Sequence, residues 1–345
     1  MLNLFMKNKP VMKKAFLLLV LIVCIQSSFS QHTPKKVIID CDPGIDDAIA
    51  LILALESQQL EVIGITTVFG NVRTSQATIN AFRILELTNR KLPVYEGAKK
   101  PLFTEPGIPP DYVHGKDGLG NIDYPVPEQT TGEMSAAEFM VSTLRENPGE
   151  ISILTLGPLT NLALALTLEP ELADLAAEVV VMGGAVTVPG NVTPVAEANM
   201  KGDPHAADIV LTSPMNVSMI GLDVTTRVVI NDFHIEQLKN VSQTYGTFIF
   251  DISQFYMDFY KSTGVNGMYA HDPTAVAYLI APDWFTITKA PVRVVTEGIA
   301  IGETIMAHNE FTAGQGPWNN KPEVTIAGNV DVDRVLNWFR EVLAD

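Results

Sequence analysis

Residues 38–55, IIDCDPGIDDAIALILAL, set Asp40, Asp42, Asp46 and Asp47 within eight positions, directly ahead of a strongly apolar run. Two carboxylates about 4 Å apart repel by roughly 4 kcal/mol at an effective dielectric near 20. Protonation or a bound cation relieves such crowding. Aspartates that follow a strand also cap helices, each contributing about 0.3–1 kcal/mol near the N-terminus. Capping accounts for one or two of the four acids, and a cation accounts for the cluster. The donors are hard oxygens without a thiol or imidazole cluster beside them, which favours Ca²⁺ or Mg²⁺ over zinc.

Asp272, in HDP at 271–273, offers a further carboxylate ahead of the helical run TAVAYLIA. The same Asp-Pro entry occurs at Asp203-Pro204, so Asp272 also reads as a helix cap. His271 beside it is a titratable group suited to proton transfer near neutral pH, or an ordinary histidine. Cys41 lies between two aspartates, which would raise a thiol pKa, so it reads as a small buried spacer and not a nucleophile.

Short β-branched runs must position these groups. KVIID (36–40), EVIGITTV (61–68), LPVYEG (92–97), ISILTL (151–156), EVVVMG (178–183) and NVSMIG (216–221) read as strands. Several are continuously apolar, as strands covered on both faces are. Between them DDAIALILALES, SQATINAFRILELTN, AAEFMVSTLREN, LTNLALALTLE and DPHAADIVLTS read as helices. The alternation implies an α/β fold: a doubly wound, mostly parallel open sheet with helices on both faces. Ligands then sit beyond the carboxyl ends of the strands, among the loop-like stretches 100–131, 183–202 and 261–271. No linker divides residues 31–345, which read as one domain.

The first 30 residues read as a secretory signal peptide. Lys7, Lys9, Lys13 and Lys14 precede an apolar run from Ala15 to Ile25, and Ser28 and Ser30 suit a cut after Ser30. The run is short for a membrane span, so no stable membrane insertion is expected after cleavage. The chain would be exported, periplasmic or secreted, and would there meet abundant Ca²⁺, the better match to the acidic turn. An uncleaved anchor, or a lipoprotein signal at Cys24, is the alternative. Cys24 leaves with the leader, so the remainder holds a single cysteine and no internal disulfide. A formal charge of −16, from 39 acidic and 23 basic residues, argues against nucleic acid or anionic lipid as partner.

DCDPGIDDA (40–48) resembles the amino-terminal signature of the nucleoside hydrolases, the inosine–uridine-preferring group and its relatives. TTVFGNV (66–72), HGKDGLG (114–120), LGPLTNLALAL (156–166), VMGGAV (181–186), GNVTPVAEANM (190–200), DPHAAD (203–208) and HDPTAVA (271–277) agree in order. The resemblance spans roughly residues 36–310 and weakens past 295, where AIGETIM (300–306) lacks an arginine common before the glycine. It implies hydrolysis of the N-glycosidic bond of a small-molecule ribonucleoside to ribose and free base, with Ca²⁺ at the pocket floor. It implies that Asp42, Asp47, Asp272 and the backbone carbonyl of Leu156, where members often have Thr, hold the metal. Asp42 would also be the base for water, and His271 would protonate the leaving base. Asp46, Asn71, Glu197 and Asn199 would bind the ribose, with Asn191 and Met182 along the sugar side. Asp40 would support the ligands from behind. Homodimers or homotetramers are the family's usual assemblies.

The base end is less legible. Phe255, Tyr256, Phe259 and Tyr260 come at helical spacing before a glycine-rich loop. They form a core-facing stripe, or Tyr256 or Tyr260 reaches the nucleobase. His114 lines the entrance by resemblance, or is structural. Two rival readings compete with this one. A phosphatase with an aspartate nucleophile at D-x-D would need an anion cradle that this acidic turn lacks. A secreted nucleoside-binding protein without turnover would not need Asp42 and His271 as base and acid.

Overall fold

The computed structural model describes residues 33–344, so the expected leader at 1–30 lies outside the described residues. Strand β1 (Lys35–Cys41) runs into the acidic turn and helix α1 (Ile45–Glu56). Strand β2 (Leu60–Thr67), helix α2 (Thr74–Leu87) and the short strand β3 (Val94–Glu96) follow. Next come α3 (Ala136–Glu146), β4 (Ile151–Thr155), α4 (Thr160–Leu168) and β5 (Val179–Met182). Then come α5 (Pro204–Leu211), β6 (Val217–Ile220), β7 (Val229–Ile230), α6 (Asp232–Val241), α7 (Gly246–Ser262), β8 (Met268–Tyr269) and α8 (His271–Ile280). The chain closes with β9 (Phe285–Ala290), β10 (Val292–Val294), β11 (Thr304–Met306), β12 (Val324–Val330) and α9 (Val332–Leu343). One-turn helices are named below by their residues.

Eight strands form one sheet in the order β3-β2-β1-β4-β5-β6-β12-β9. It is parallel except for the edge pair β12 and β9. The strand order reverses between β1 and β4, and a doubly wound sheet opens its crevice there, outside the carboxyl ends. The acidic turn leaves β1 at that point, and Leu156 leaves β4 beside it. The sheet serves two cores. Val37, Ile39 and Cys41 of β1 join one apolar cluster, and Ile38 joins the other with Ile153, Leu162 and Phe139. Successive side chains of a strand point to opposite faces, so a sheet covered on both sides needs an unbroken apolar run.

Helix α1 is buried from Ile45 through Leu55, which its apolar sequence on all sides requires. A carboxylate pair at its N-terminus is therefore carried into the interior. The six strands expected from sequence are β1 to β6, and the five expected helices are α1 to α5. The strands β7 to β12 and the helices α6 and α9 are not among the expected elements. Strand β9 is an edge strand exposed over Thr286–Lys289, and β12 carries Gly328 and Asn329, so neither shows a strand period. The stretches 97–110 and 115–134 are irregular, around the one-turn helix Asp111–His114, and Ala198–Gly202 forms another short turn. Among the described residues no helix is long and apolar enough to cross a membrane.

Leu53 is fully buried in the middle of α1. Truncating such a leucine removes apolar burial and leaves a cavity, at about 2–5 kcal/mol. Leu53→Ala is expected to lower the unfolding free energy by that amount, read from the midpoint shift in a guanidinium titration.

Candidate active site

The site is built where two helix N-termini meet the ends of β1 and β4. Asp46 and Asp47 sit in the first turn of α1, and Asp272 sits in the first turn of α8, which packs against α1. Asp272 does not cap its helix, since Ala270 precedes it as the N-cap. Asp203, in the parallel Asp-Pro entry, does cap, accepting from the Ala206 N–H at 3.1 Å. Asp46, Asp47 and Asp272 each offer an oxygen within 4.8 Å of the others.

Asp47 fixes the turn itself, accepting from the N–H of Asp42 at 3.2 Å, the N–H of Gly44 at 3.0 Å and Asn71 Nδ2 at 2.9 Å. Asp42 accepts from the Asn71 N–H at 2.6 Å through Oδ2. Its Oδ1, like Oδ1 of Asp46, is buried without a hydrogen-bond partner among the described residues. Asp40 stands one layer deeper. It accepts from the Thr66 hydroxyl at 2.6 Å and from Asn161 Nδ2 at 2.7 Å. Asn161 in turn donates to the Thr67 carbonyl and accepts from the Ala98 N–H, so Asp40 ties down the loop beyond β3.

Burial pushes all these carboxyls upward. Asp42 and Asp272 go well above the carboxylate range, first by desolvation and then by their acidic neighbours. Asp46 is raised to about 8 by burial and by Asp47, and Asp47 itself is raised by burial. Asp40 is raised to about 7 by burial, against its two hydrogen bonds. Among the described residues, no lysine or arginine ion pair reaches the cluster. The donor set is all oxygen, crowded, dry and partly unpartnered, which fits a hard divalent cation.

On the other side a line of hydrogen bonds leads away from Asp46. Tyr256 OH donates to Asp46 Oδ2 at 3.2 Å, Tyr260 OH lies 3.3 Å from Tyr256 OH, and His271 Nε2 lies 2.9 Å from Tyr260 OH. His271 Nδ1 lies 2.8 Å from the Thr225 hydroxyl. All four side chains are buried. Burial lowers His271 to about 4, so its imidazole is neutral at neutral pH. His114 is also buried, and burial, then His271, lowers it to about 3. Its Nδ1 accepts from the Ile45 N–H at 3.1 Å, and its ring lies 5.0 Å from that of Tyr256. The entrance histidine thus closes the first turn of α1 as well as facing the aromatic pair.

The sugar-side candidates meet around the end of β5. Asn199 Nδ2 donates to the Leu156 carbonyl at 2.6 Å and to the Met182 carbonyl at 3.1 Å. Glu197 accepts from the N–H groups of Asn199, Gly184 and Met200. Asn191 is not drawn into this group: it is exposed and accepts from the Ala198 N–H at 3.0 Å.

The sequence pattern of the family described as inosine-uridine preferring nucleoside hydrolase matches residues 37–337. The chain belongs to the nucleoside hydrolases. By family it is an N-glycosyl hydrolase, and the match continues past residue 310, where the recognisable motifs end. The hydrolase is 43% identical over 314 residues to uridine nucleosidase 1 of Arabidopsis thaliana, covering 90% of this chain and 93% of that protein. It is 41% identical over 313 residues to the pyrimidine-specific ribonucleoside hydrolase RihA of Salmonella enteritidis, covering 90% and 97%. Among solved structures, a plant nucleoside hydrolase, PpNRh1, superposes with a TM-score of 0.88 at 38% identity, covering 90% of this chain and 99% of that one. The purine-preferring ribonucleoside hydrolase from Gardnerella vaginalis superposes with a TM-score of 0.83 at 34% identity, covering 90% and 98%.

Sequence reading missed Thr225 and Asn161, whose partners lie 46 and 121 residues away, and missed the glycines that admit Asp42. A Cβ on Gly157 would stand 2.5 Å from Asp42 Oδ1 and 2.8 Å from Val68. Gly157→Ala must therefore move the Asp42 carboxylate. A misplacement of about 1 Å at a reacting group costs about 100-fold. We expect a kcat loss of that order with an unchanged far-UV circular dichroism spectrum.

Proposed function

We propose that this hydrolase cleaves the N-glycosidic bond of ribonucleosides, uridine foremost, to ribose and free base, with Ca²⁺ as its resident metal. The observation that carries the reading is the buried, all-oxygen cluster at one end of a hydrogen-bond line that ends on an imidazole. Asp42, Asp47, Asp272 and the Leu156 carbonyl would hold the ion. Asp46 lies within the same spacing as Asp47 and Asp272, so it is a further candidate ligand, although Tyr256 already engages one of its oxygens. When bound, calcium supplies compensation for the crowded charge and orientation of water and the sugar hydroxyls.

The remaining work falls to the chain's own groups. Asp42, with an unpartnered Oδ1, takes a proton from water as the oxygen adds to the anomeric carbon. Positive charge develops on the sugar ring as the bond to the base breaks, and the surrounding carboxylates favour that charge. Asp46, Asn71 and Asn199 Oδ1 accept from or donate to sugar hydroxyls. Glu197 already takes three N–H groups, so its main contribution is to hold the wall while one oxygen keeps a lone pair for a hydroxyl. Met182 lines the same wall. The bond's electron pair leaves with the base, which takes a proton from the line formed by His271, Tyr260 and Tyr256. His114 and the two tyrosines present aromatic surface to the base.

Uridine is named first because the relatives at 41% and 43% identity carry pyrimidine or uridine in their names, while the purine-preferring neighbour stands at 34%. The leader at 1–30 would export the chain, and copies would assemble as homodimers or homotetramers. Purified enzyme with calcium is expected to release reducing sugar from uridine faster than from inosine. Asp42→Asn should lower kcat by about 10²–10⁴-fold, the usual contribution of a general base. Absence of sugar release from every common nucleoside would overturn the reading.

A further inference from the structure

The turn Leu222–Thr225, between β6 and β7, belongs to none of the recognised motifs, yet it touches both walls of the pocket. One contact is the Thr225 hydroxyl on His271 Nδ1 at 2.8 Å. The other is Asp223, whose buried carboxylate accepts from the Val186 N–H at 2.9 Å, the Thr187 N–H at 2.7 Å and the Thr187 hydroxyl at 2.5 Å. The loop after β5 is thereby held at four consecutive N–H groups. Gly184 donates to Glu197, Ala185 donates to Thr304 Oγ1, and Val186 and Thr187 donate to Asp223. The turn is pinned in the opposite sense as well, since the Leu222 N–H donates to the Gly184 carbonyl at 2.8 Å. A Cβ on Gly221 would approach that carbonyl to 2.7 Å, so turn and loop are in close contact.

The hydrogens along the relay follow by elimination. A phenol has one proton to donate. With Asp46 ionised, as it would be beside a bound cation, Tyr256 gives its proton to Asp46, so Tyr260 must donate to Tyr256, and the Tyr260 oxygen must receive from His271 Nε2. A neutral imidazole carrying its proton on Nε2 accepts at Nδ1, and the only partner placed there among the described residues is the Thr225 hydroxyl.

We propose that Thr225 and Asp223 are positioning residues of this hydrolase: Thr225 fixes His271 in the Nε2–H tautomer and aims it along the Tyr260–Tyr256 line, and Asp223 holds the turn that carries Thr225. Asp223 acts by anchoring the turn to the loop after β5, so the sugar-side wall and the imidazole keep a common register. The catalytic consequence rests on the reading of His271 as the end of the line that protonates the leaving base; the tautomer does not.

The test is made on the calcium-loaded full chain with ¹⁵N-labelled histidine, comparing wild type, Thr225→Val, Thr225→Ser and Asp223→Asn, with His271→Gln identifying the resonances. In the wild type the His271 Nε2 signal is expected to be that of a protonated nitrogen and Nδ1 that of an acceptor. Thr225→Val should shift this pattern and Thr225→Ser should restore it. A protonated Nδ1 in the wild type, or a pattern unmoved by Thr225→Val, overturns the proposal whatever the activity. In parallel, kcat is measured on uridine and on nitrophenyl riboside, whose leaving group departs without protonation. Loss of an orienting partner behind a functional imidazole costs about 10–100-fold. Thr225→Val should lose that much on uridine and at least about tenfold less on nitrophenyl riboside, with Asp223→Asn following the same ratio. Tautomer signals that move as expected while both substrates fall equally would leave the positioning intact and refute the leaving-base reading instead. Because Thr225→Val keeps the branched shape, its result stands even if Asp223→Asn fails to fold.

Discussion

Like charge confined in a dry space governs this molecule. Asp40, Asp42, Asp46, Asp47 and Asp272 are all buried, four of them crowd one end of the sheet and two helix starts, and burial raises every one of them. A carboxyl whose pKa rises on folding weakens the fold at neutral pH, because its ionised form is better solvated in the unfolded chain. Backbone N–H groups and the partial positive charge of two helix N-termini offset part of that cost. They do not supply a full positive charge, no lysine or arginine of the described residues pairs with the cluster, and His114, whose Nδ1 lies 3.9 Å from Asp46 Oδ1, is held neutral by burial. A hard divalent cation is the component that we propose completes the site.

The surrounding structure follows from that need. The strand order reverses between β1 and β4, which opens the crevice where the acidic turn emerges. Helix α1 is apolar on every side, so the protein can bury it completely and hold its N-terminal acids against α8. Gly157 gives the Asp42 carboxylate room that any side chain would take. Asp40 spends both its hydrogen bonds on holding Thr66 and Asn161, and through Asn161 the loop beyond β3. The aromatic line from Asp46 to His271 connects the acidic floor to the far wall.

Much of this was legible in the sequence because local rules produced it. The apolar runs of β1 to β6 and the Asp-rich turn are each contained in a few consecutive residues, and the tyrosines at 256 and 260 are one helical turn apart. What the sequence hid depends on distant pairing. Nothing near Thr225 announces that its hydroxyl meets His271, and nothing near Asn161 announces Asp40. Strand β9 escaped notice since an exposed edge strand has no apolar period to read, and β12 since glycine and asparagine interrupt it. By residue pattern Asp272 reads either as a further carboxylate for the cation or as a helix cap, which Asp203 is, and the packing of α8 on α1 brings it to Asp46 and Asp47.

The proposed chemistry requires the acidic cluster to be a cation site. Its most direct test is calorimetric titration of Ca²⁺ into chelator-stripped protein, paired with a melting curve at each step. Binding to the folded chain alone raises stability by about 2.7 kcal/mol when free ligand reaches 100 times Kd. One saturable calcium per chain is expected, with a melting temperature that climbs with occupancy and loss of both in Asp47→Asn. No heat and no rise in melting temperature for the stripped wild-type protein, or undiminished binding by Asp47→Asn, would contradict it.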